Sequence, residues 1–517
     1  MTQENSPAVL EGYGDLRPYR GNTSETVGSK LLADLDAAYD ACDVRDGATL
    51  SFHHHLRNGD AVLNMVLAVA EKRGLKDLHV AASSIFPVHE SLVGFIARGT
   101  VTAVSAGFIS GPVAEAISRG KLPKPAVLRT HGGRARAIAV GELPIDVAFV
   151  AAPAADSLGN ISGSIGPRAC GALGYPKADI GKARNVVAVT DTLVPFPVPQ
   201  IEIDQQSVDW VVSVESIGDA AGILSGITRP TTEPVGLEIA RRTAAVIEAS
   251  GLLVSGFSLQ NGAGGISIAT ADELARFMTD AGIKGSFAAG GITGFHVKML
   301  EAGLFEALLD VQCFDLAAVQ SYASNPRHLG MSASVYACPG ARGAVVDLLD
   351  TVVLGATEID TDFNVNVTTR SDGMINGGSG GHADTAAGAR LTIITTRLTA
   401  AGFAKVVDRV GTVTTPGETV DVLVTEGGIA VNPRRGDLAE RLRTAGLPLR
   451  NIADLQRDAA AAATREAVHP ADGRIVAVSE YRDGTVTVNG GDKTGHVAAQ
   501  NQASGGAPSA MARALPR

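Results

Sequence analysis

The sequence predicts an α/β protein of two halves, each a mostly parallel sheet covered by helices. Three observations predict it. Short apolar runs alternate with helical stretches along the 517 residues, the pattern of repeated βαβ units. The apolar fraction is 45% and the aromatic fraction 4%, so the cores are built from Ala, Val, Leu and Ile. Glycine is abundant, at 60 residues, and clusters in loops that follow strands in both halves, where tight turns and close backbone approaches are needed.

Taken in order, Gly47 to Phe52 reads as the first strand. Ala61 to Arg73 follows as a helix with Val62, Met65, Val66 and Val69 on one face, stopped by Gly74. Further strands are expected at Leu78–Ser83, Val101–Ala106, Ile145–Ala151, Asn185–Thr190 and Val208–Val214. After the loop Gly226–Pro234 a second series starts with a helix over Leu237–Ser250, ended by Gly251. Thr270-Ala-Asp-Glu273 reads as a capping box opening a helix that buries Leu274, Phe277 and Met278. Strands recur at Val345–Leu354, Arg390–Thr396 and Val420–Thr425, and Asp437–Ala445 is a helix with Gly446 as its stop. The Ala-rich stretch Asp458–Ala463 reads as helix leading to a strand pair, Ile475–Glu480 and Thr485–Asn489. The expected organisation is an N-terminal arm over 1–45, a first domain over 46–225, a second over 226–490 and a disordered tail over 491–517.

The formal net charge of −10, without any basic run, argues against nucleic acid as a partner. Met1–Arg20 carries no apolar segment of the secretory type, and no stretch approaches the length of a membrane span. Cys42, Cys170, Cys313 and Cys338 lie far apart with no CxxC pair, so neither a disulfide framework nor a bound metal is expected, and a reducing cytoplasm is the default location.

Three constellations carry chemistry. In Ser51-Phe-His-His-His-Leu-Arg-Asn-Gly-Asp60 the histidines cannot all face one metal from a strand, because alternate side chains diverge. Either this is a polar loop capped by Asp60, or His53, His54 and Arg57 line a cleft at a strand's carboxyl end and hold a carboxylate. The loop Ser258-Leu-Gln-Asn-Gly-Ala-Gly-Gly265 is either a tight turn or a row of N–H groups facing an anion. In Ala356–Asp384, Glu358 and Asp360 end a strand, Asn364 and Asn366 follow at period two, and Gly377-Gly-Ser-Gly-Gly381 precedes His382 and Asp384. So many small residues mean that a ligand or another backbone comes close. A local positive island, Arg119, Lys121, Lys124, Arg129, His131, Arg134 and Arg136, is either solvated surface or a dock for an acidic partner.

From Leu50 to Asp483 the chain resembles the citrate lyase alpha-subunit family, the citrate:acetyl-carrier-protein transferases. SFHHHLRNGD, SGPVAEAISRG, THGGRARAIAVGELPIDVAF, DSLGN, CGALGYP, QNGAGGISIAT, GGITG, LLDVQCFD, ATEIDTDFNVNV, GGSGGHADTA and VDVLVTEGGIAVNP carry the resemblance. More distantly it is similar to two-domain CoA-transferases. The resemblance implies two tandem CoA-transferase-like (NagB/RpiA-type) α/β domains with the active site between them. It implies exchange of acetate for citrate on the CoA-like prosthetic arm of a carrier protein, with acetyl-CoA as surrogate donor. The beta and gamma (acyl carrier) subunits of citrate lyase would then be partners. Related covalent CoA-transferases use a Glu nucleophile in a segment that looks equivalent to Ala288-Ala-Gly-Gly-Ile-Thr-Gly294, which holds no carboxylate here. That fits what the resemblance implies, direct attack by citrate on the thioester with no covalent enzyme intermediate, and leaves Glu358 as the remaining carboxylate candidate for a covalent route.

On this reading Glu358, Gly380, Gly381, His53 and His54 are the catalytic candidates, Glu358 in a positioning role. Arg57, Asn261, Gly262, Gly264, Gly265, Asn364, Asn366, Gly378 and His382 would bind substrate, and Arg129, Arg134 and Arg136 would dock the carrier. Two alternatives stay open: a free-CoA acyl transferase acting on a related carboxylate such as citramalate, and a non-catalytic assembly subunit on the same fold.

Overall fold

The computed structural model describes residues 29–224, 230–262, 264–467, 475–486 and 496–498. Runs such as Val147-Ala-Phe-Val-Ala-Ala152 are buried along their whole length, which a parallel sheet covered on both faces requires. In the first sheet Thr49–Phe52 is central. Leu78–Ala82, Val101–Ala106 and Ala126–Arg129 step away on one side, and Val147–Ala152, Asn185–Thr190 and Trp210–Ser213 on the other. All these pairings are parallel.

The second sheet repeats the plan. Ser258–Asn261 is central, with Gly285–Ile292, Phe305–Cys313 and His328–Gly330 on one side and Thr351–Gly355, Leu391–Thr395 and Val422–Thr425 on the other. These pairings are parallel too, and the antiparallel strand Gly428–Val431 closes the edge. Each half also carries a small three-stranded sheet at the same place in the order, one built on Ala154–Asp156 and one on Glu358–Asp360.

The same turn follows both of these short strands. Asp156 Oδ1 accepts the N–H groups of Leu158 and Asn160, whose side chain donates back to Asp156 Oδ2. Asp360 Oδ1 accepts from Asp362 and Asn364 in the same way, and the Asn364 side chain returns to Asp360 Oδ2. Thus DSLGN in the first half and DTDFN in the second are one structural device used twice.

Several boundaries differ from those expected. Leu31–Leu32 joins the first sheet beside Trp210–Ser213, and the buried Tyr39 of helix Leu35–Ala41 donates to the Val66 carbonyl at 2.7 Å. The stretch from Leu31 is therefore part of the first unit, not an arm. Ile475–Glu480, expected in the second domain, pairs parallel with Ala126–Arg129 of the first sheet. It covers what would otherwise be an open edge, the exposure that sheets avoid. Val486 bridges Glu480, while 487–489 of the expected strand Thr485–Asn489 and most of the expected tail lie outside the described residues. Within that tail, His496–Ala498 forms a strand antiparallel to Ile475–Glu480. The helix assigned to a capping box at Thr270 starts earlier, at Gly265, and the Thr270 hydroxyl bonds back to the Ile266 carbonyl inside it. Val345–Leu348 is a short 3-10 turn, and the strand begins at Thr351. No helix among the described residues is long and apolar enough to cross a membrane.

Candidate functional site

In each sheet the strand order reverses at the central strand, and a crevice opens outside the carboxyl ends at such a point. His53–Asp60 leaves the first sheet at this place, between Thr49–Phe52 and Val147–Ala152. Gly262–Gly265 leaves the second at the equivalent place, between Ser258–Asn261 and Thr351–Gly355. The two crevices face each other. The Gln312 amide donates to the His54 carbonyl at 2.6 Å, Gly174 N–H to the Val311 carbonyl at 3.2 Å, and Ala333 N–H to the Gly174 carbonyl at 2.9 Å. From the other side, His131 N–H donates to the Gly380 carbonyl at 2.8 Å, Gly380 N–H to the Gly107 carbonyl at 3.1 Å, and Ile109 N–H to the Gly377 carbonyl at 3.0 Å.

The glycine loop 377–381 is thus shaped by the first half's backbone. A Cβ on Gly378 would overlap the Gly107 carbonyl oxygen, and one on Gly381 would overlap the Tyr336 hydroxyl. The N–H groups of Gly378 and Gly380 are spent on the carbonyls of Val367 and Gly107, so neither is an oxyanion donor in this arrangement, contrary to expectation for Gly380. Gly381 caps helix His382–Gly388. Asp384, in its first turn, accepts from Gly132 N–H at 2.9 Å and from the Thr130 hydroxyl at 2.8 Å, joining the halves again. Burial raises its carboxyl to about 6, against these same hydrogen bonds, which pull the other way.

The His-rich loop divides into three roles. His53 Nε2 lies 3.0 Å from Asp179 Oδ2, in a buried network that also holds Ser51 and Arg134. His54 Nδ1 meets the Ser83 hydroxyl at 2.6 Å, and its ring packs on Tyr175 at 4.7 Å and lies 6.1 Å from His131. Burial, then the neighbouring His131, holds His54 neutral. Arg57 adopts φ 52°, a left-handed backbone that costs energy outside glycine, and is buried with its guanidinium 4.5 Å from the Phe314 ring and 5.3 Å from Phe86. Phe314 reaches it because Gly291 has no side chain; a Cβ there would overlap the ring. Burial lowers Arg57 to about 10, still charged at neutral pH.

In the second crevice, Gly262 N–H is taken by the Val353 carbonyl at 2.8 Å. Gly264 and Gly265 begin the helix Gly265–Ala281, whose first-turn N–H groups form an anion-favouring end. Asn261 donates to the Ser267 carbonyl at 2.7 Å, and its buried Oδ1 has no partner among the described residues. Gln260 donates to the Tyr336 hydroxyl at 2.7 Å, with its own Oε1 buried and unpartnered among the described residues. Glu358 is buried, with Oε2 accepting from Asn366 at 3.2 Å and Oε1 unpartnered among the described residues.

Several expected ligands are committed elsewhere. Asn364 builds the Asp360 turn and accepts from Gly417 N–H. Asn366 spends both its donor hydrogens and its oxygen on Glu358, Thr368 and Thr369. His382 uses both ring nitrogens, on the Thr415 hydroxyl at 2.7 Å and the Gly355 carbonyl at 2.8 Å. Nor are the three arginines expected to dock the carrier free cations. Arg129 pairs with Glu480 at 2.7 Å, Arg136 with Glu142 at 2.6 Å, and the buried Arg134 forks onto Asp179 at 2.6 Å. Burial pushes the Asp179 carboxyl up, but the charges of Arg134 and His53 outweigh it and hold the group below its usual range.

Among the described residues, Asp310, Cys313 and His328 bring metal-type ligand atoms together. Here the thiol and the His328 Nε2 both lie 3.0 Å from Asp310 Oδ2, a buried hydrogen-bonded knot beneath Gln312.

Residues 28–489 match the model of the citrate lyase alpha-subunit family (CitF). The chain belongs to that family. The citrate lyase alpha chain of Escherichia coli strain K12 is 47% identical over 457 residues, covering 88% of this chain and 90% of that one. The Klebsiella pneumoniae alpha chain is 44% identical over 469 residues, covering 91% and 92%. A structure described as the alpha subunit of citrate lyase from Streptococcus mutans, in complex with citrate, superposes with a TM-score of 0.87 at 45% identity, covering 90% and 91%. A Pseudomonas malonate decarboxylase hetero-tetramer in complex with malonate shares the fold, with a TM-score of 0.63 at 17% identity over 86% and 96%. Membership of the citrate lyase alpha family makes the chain an enzyme of the transferase type.

Sequence reasoning missed Tyr175, Gln260, Gln312 and Phe314, and placed His131 in a surface island. One signal was available: Lys177-Ala-Asp179 and His382-Ala-Asp384 occupy matching places in the two halves, as do the two Asp-to-Asn turns. That internal repeat marks CGALGYP, with Tyr175, as the counterpart of the GGSGG loop.

Proposed function

We propose that the crevice between the halves exchanges acetate for citrate on an acyl thioester carried by a CoA-like arm. The observation that carries the reading is Arg57, a buried cation clamped between Phe86 of one half and Phe314 of the other, in a chain 45% identical to a protein seen with citrate. A buried, charged guanidinium meets a carboxylate through charge-assisted, fork-shaped hydrogen bonds. A citrate carboxylate attacks the thioester carbonyl, the C–S bond breaks, and the thiolate leaves a mixed anhydride. The thiolate then attacks the citryl carbonyl of that anhydride and acetate departs. The N-terminal donors at Gly264 and Gly265, with Gly381 N–H, favour the oxygen that becomes negative. Neither Gly290 nor Gly291 offers a nucleophile, and Gly290, at φ 102°, instead makes room for the Gln260 amide. Glu358 keeps Asn366 and the glycine loop in place. The natural thioester would be that of the gamma carrier subunit, and the beta subunit would cleave the citryl product, in the cytoplasm.

The test is initial-rate kinetics of the purified chain with acetyl-CoA and citrate, reading citryl-CoA and acetate. Intersecting lines, and no hydroxylamine- or borohydride-trapped adduct on Glu358 by mass spectrometry, are expected. Parallel lines with an adduct would overturn direct attack. Turnover with citramalate but not citrate would overturn the substrate assignment.

A further inference from the structure

His131 sits where the halves touch. It opens helix His131–Ala139 directly after strand Ala126–Arg129, and its backbone N–H is tied to the Gly380 carbonyl. Its ring occupies a slot made by two glycines, one from each half. A Cβ on Gly107 would stand 3.3 Å from Nδ1, and a Cβ on Gly380 would stand 3.4 Å from Nε2. The Tyr175 ring lies 4.6 Å from it, with the phenol oxygen 2.9 Å from Nε2. Nδ1 is buried and has no hydrogen-bond partner among the described residues. A buried polar atom left unsatisfied weakens the fold, so its persistence needs a reason. Burial, then Arg134, lowers the imidazole to about 3, so it is neutral at working pH and carries one N–H. With the Tyr175 hydroxyl donating to Nε2, that N–H is at Nδ1.

We propose that His131 is a further catalytic residue of the exchange, its Nδ1–H donating to the acyl carbonyl oxygen as citrate attacks. Tyr175 is the positioning residue that fixes the tautomer. A neutral imidazole at a helix N-terminus stabilises a developing oxyanion without giving up its proton, which an imidazolium would do less selectively. The slot explains itself on this view: both glycines keep the ring in place while neither half can close it without the other. No proton moves in the step; the C–O bond forms, the C–S bond breaks, and the donated hydrogen bond shortens as charge grows on oxygen.

The inference rests on the transferase reading, and the experiment separates the two. Wild type, His131→Leu, His131→Asn and Tyr175→Phe are assayed with acetyl-CoA and citrate, alongside melting curves. Loss of one oxyanion donor typically lowers kcat about a hundredfold or more, so His131→Leu is expected to fall by that factor with KM for both substrates nearly unchanged. His131→Asn places an amide N–H near the Nδ1 position and should recover roughly tenfold over His131→Leu. Tyr175→Phe keeps the ring packing and should lower kcat by roughly tenfold through the lost tautomer control, which also guards against a His131 variant that fails to fold. His131→Leu keeping kcat within a few-fold of wild type would overturn the role. So would equal losses in the Leu and Asn variants that track their melting temperatures. An inactive wild type would instead overturn the transferase reading on which the role depends.

Discussion

Gly378→Ala tests whether the glycine loop exists to let the halves dock. The added methyl would overlap the Gly107 carbonyl oxygen, and it would stand 2.9 Å from Phe108 Cα and 3.0 Å from the Gly107 carbonyl carbon. All three are backbone atoms, so no rotamer change relieves the clash. The loop must withdraw from the first half. Withdrawal breaks the bonds from Ile109 to Gly377, from Gly380 to Gly107 and from His131 to Gly380. At about 1 kcal/mol each they sum to about 3 kcal/mol, within the usual range for an overpacked site. That bias shifts the docked-to-withdrawn ratio by roughly a hundredfold. Citrate-dependent acetate release should fall by tens of fold. Hydrogen exchange should speed up at residues 107–109 and 377–381 while the strand Val147–Ala152 stays protected. Gly436→Ala is the matched control, since no described residue lies within 4 Å of a Cβ there. Wild-type exchange and rate in Gly378→Ala would refute the docking argument, as would an equal loss in Gly436→Ala.

Three further outcomes follow from the same contacts. Arg134→Ala leaves the fully buried Asp179 and His53 without their cation and should destabilise by about 3–5 kcal/mol, with the salt dependence of carrier turnover unchanged; a changed salt slope with an intact melting curve would restore Arg134 to a docking role. Glu358→Gln should keep measurable exchange, because the amide can still face Asn366 after a flip; loss below detection with normal folding would make the carboxylate chemical. The melting temperature should fall as pH drops from about 6.5 toward 4. Burial lowers His79, His296 and His382 to about 4, so each favours the fold above its unfolded value and loses that contribution as it is forced to charge. Asp384, raised to about 6, has the opposite sign, its contribution being lost as pH rises through that value, and one carboxyl does not offset several histidines. A melting temperature constant or rising between pH 6.5 and 4.5 would contradict this.

The strands and the two-half plan were legible because apolar runs bounded by glycines state them locally. Val101–Ala106 and Asn185–Thr190 coincide with their expected bounds. The return of Ile475–Glu480 to the first sheet was not legible, since pairing across 351 residues from Glu480 to Arg129 leaves no local trace. In the site, Arg57 and the glycine loops stood out by composition. Asn364, Asn366 and His382 stood out equally and proved to be structural, the two asparagines in turns and the histidine bonded to Thr415 and Gly355, because a sequence shows polar residues near glycines without showing which atoms the fold has already claimed. Arg134 misled for the related reason that its partner Asp179 lies 45 residues away.

The internal repeat changes what the glycine loop means. In the first half the position four residues before the buried Asp179 holds Tyr175; in the second the position four before Asp384 holds Gly380. Both segments reach across to the opposite half, the first by Gly174 onto Val311 and the second by Gly380 onto Gly107. The plan is symmetric but the side chains are not. The second half omits a side chain where the first supplies a phenol, and the phenol bonds the imidazole that packs against the missing side chain. A tyrosine on both sides would fill the slot from two directions and expel the His131 ring. The repeated plan frames the crevice, and the absence of a side chain at Gly380 leaves room in it for an imidazole with a spare donor.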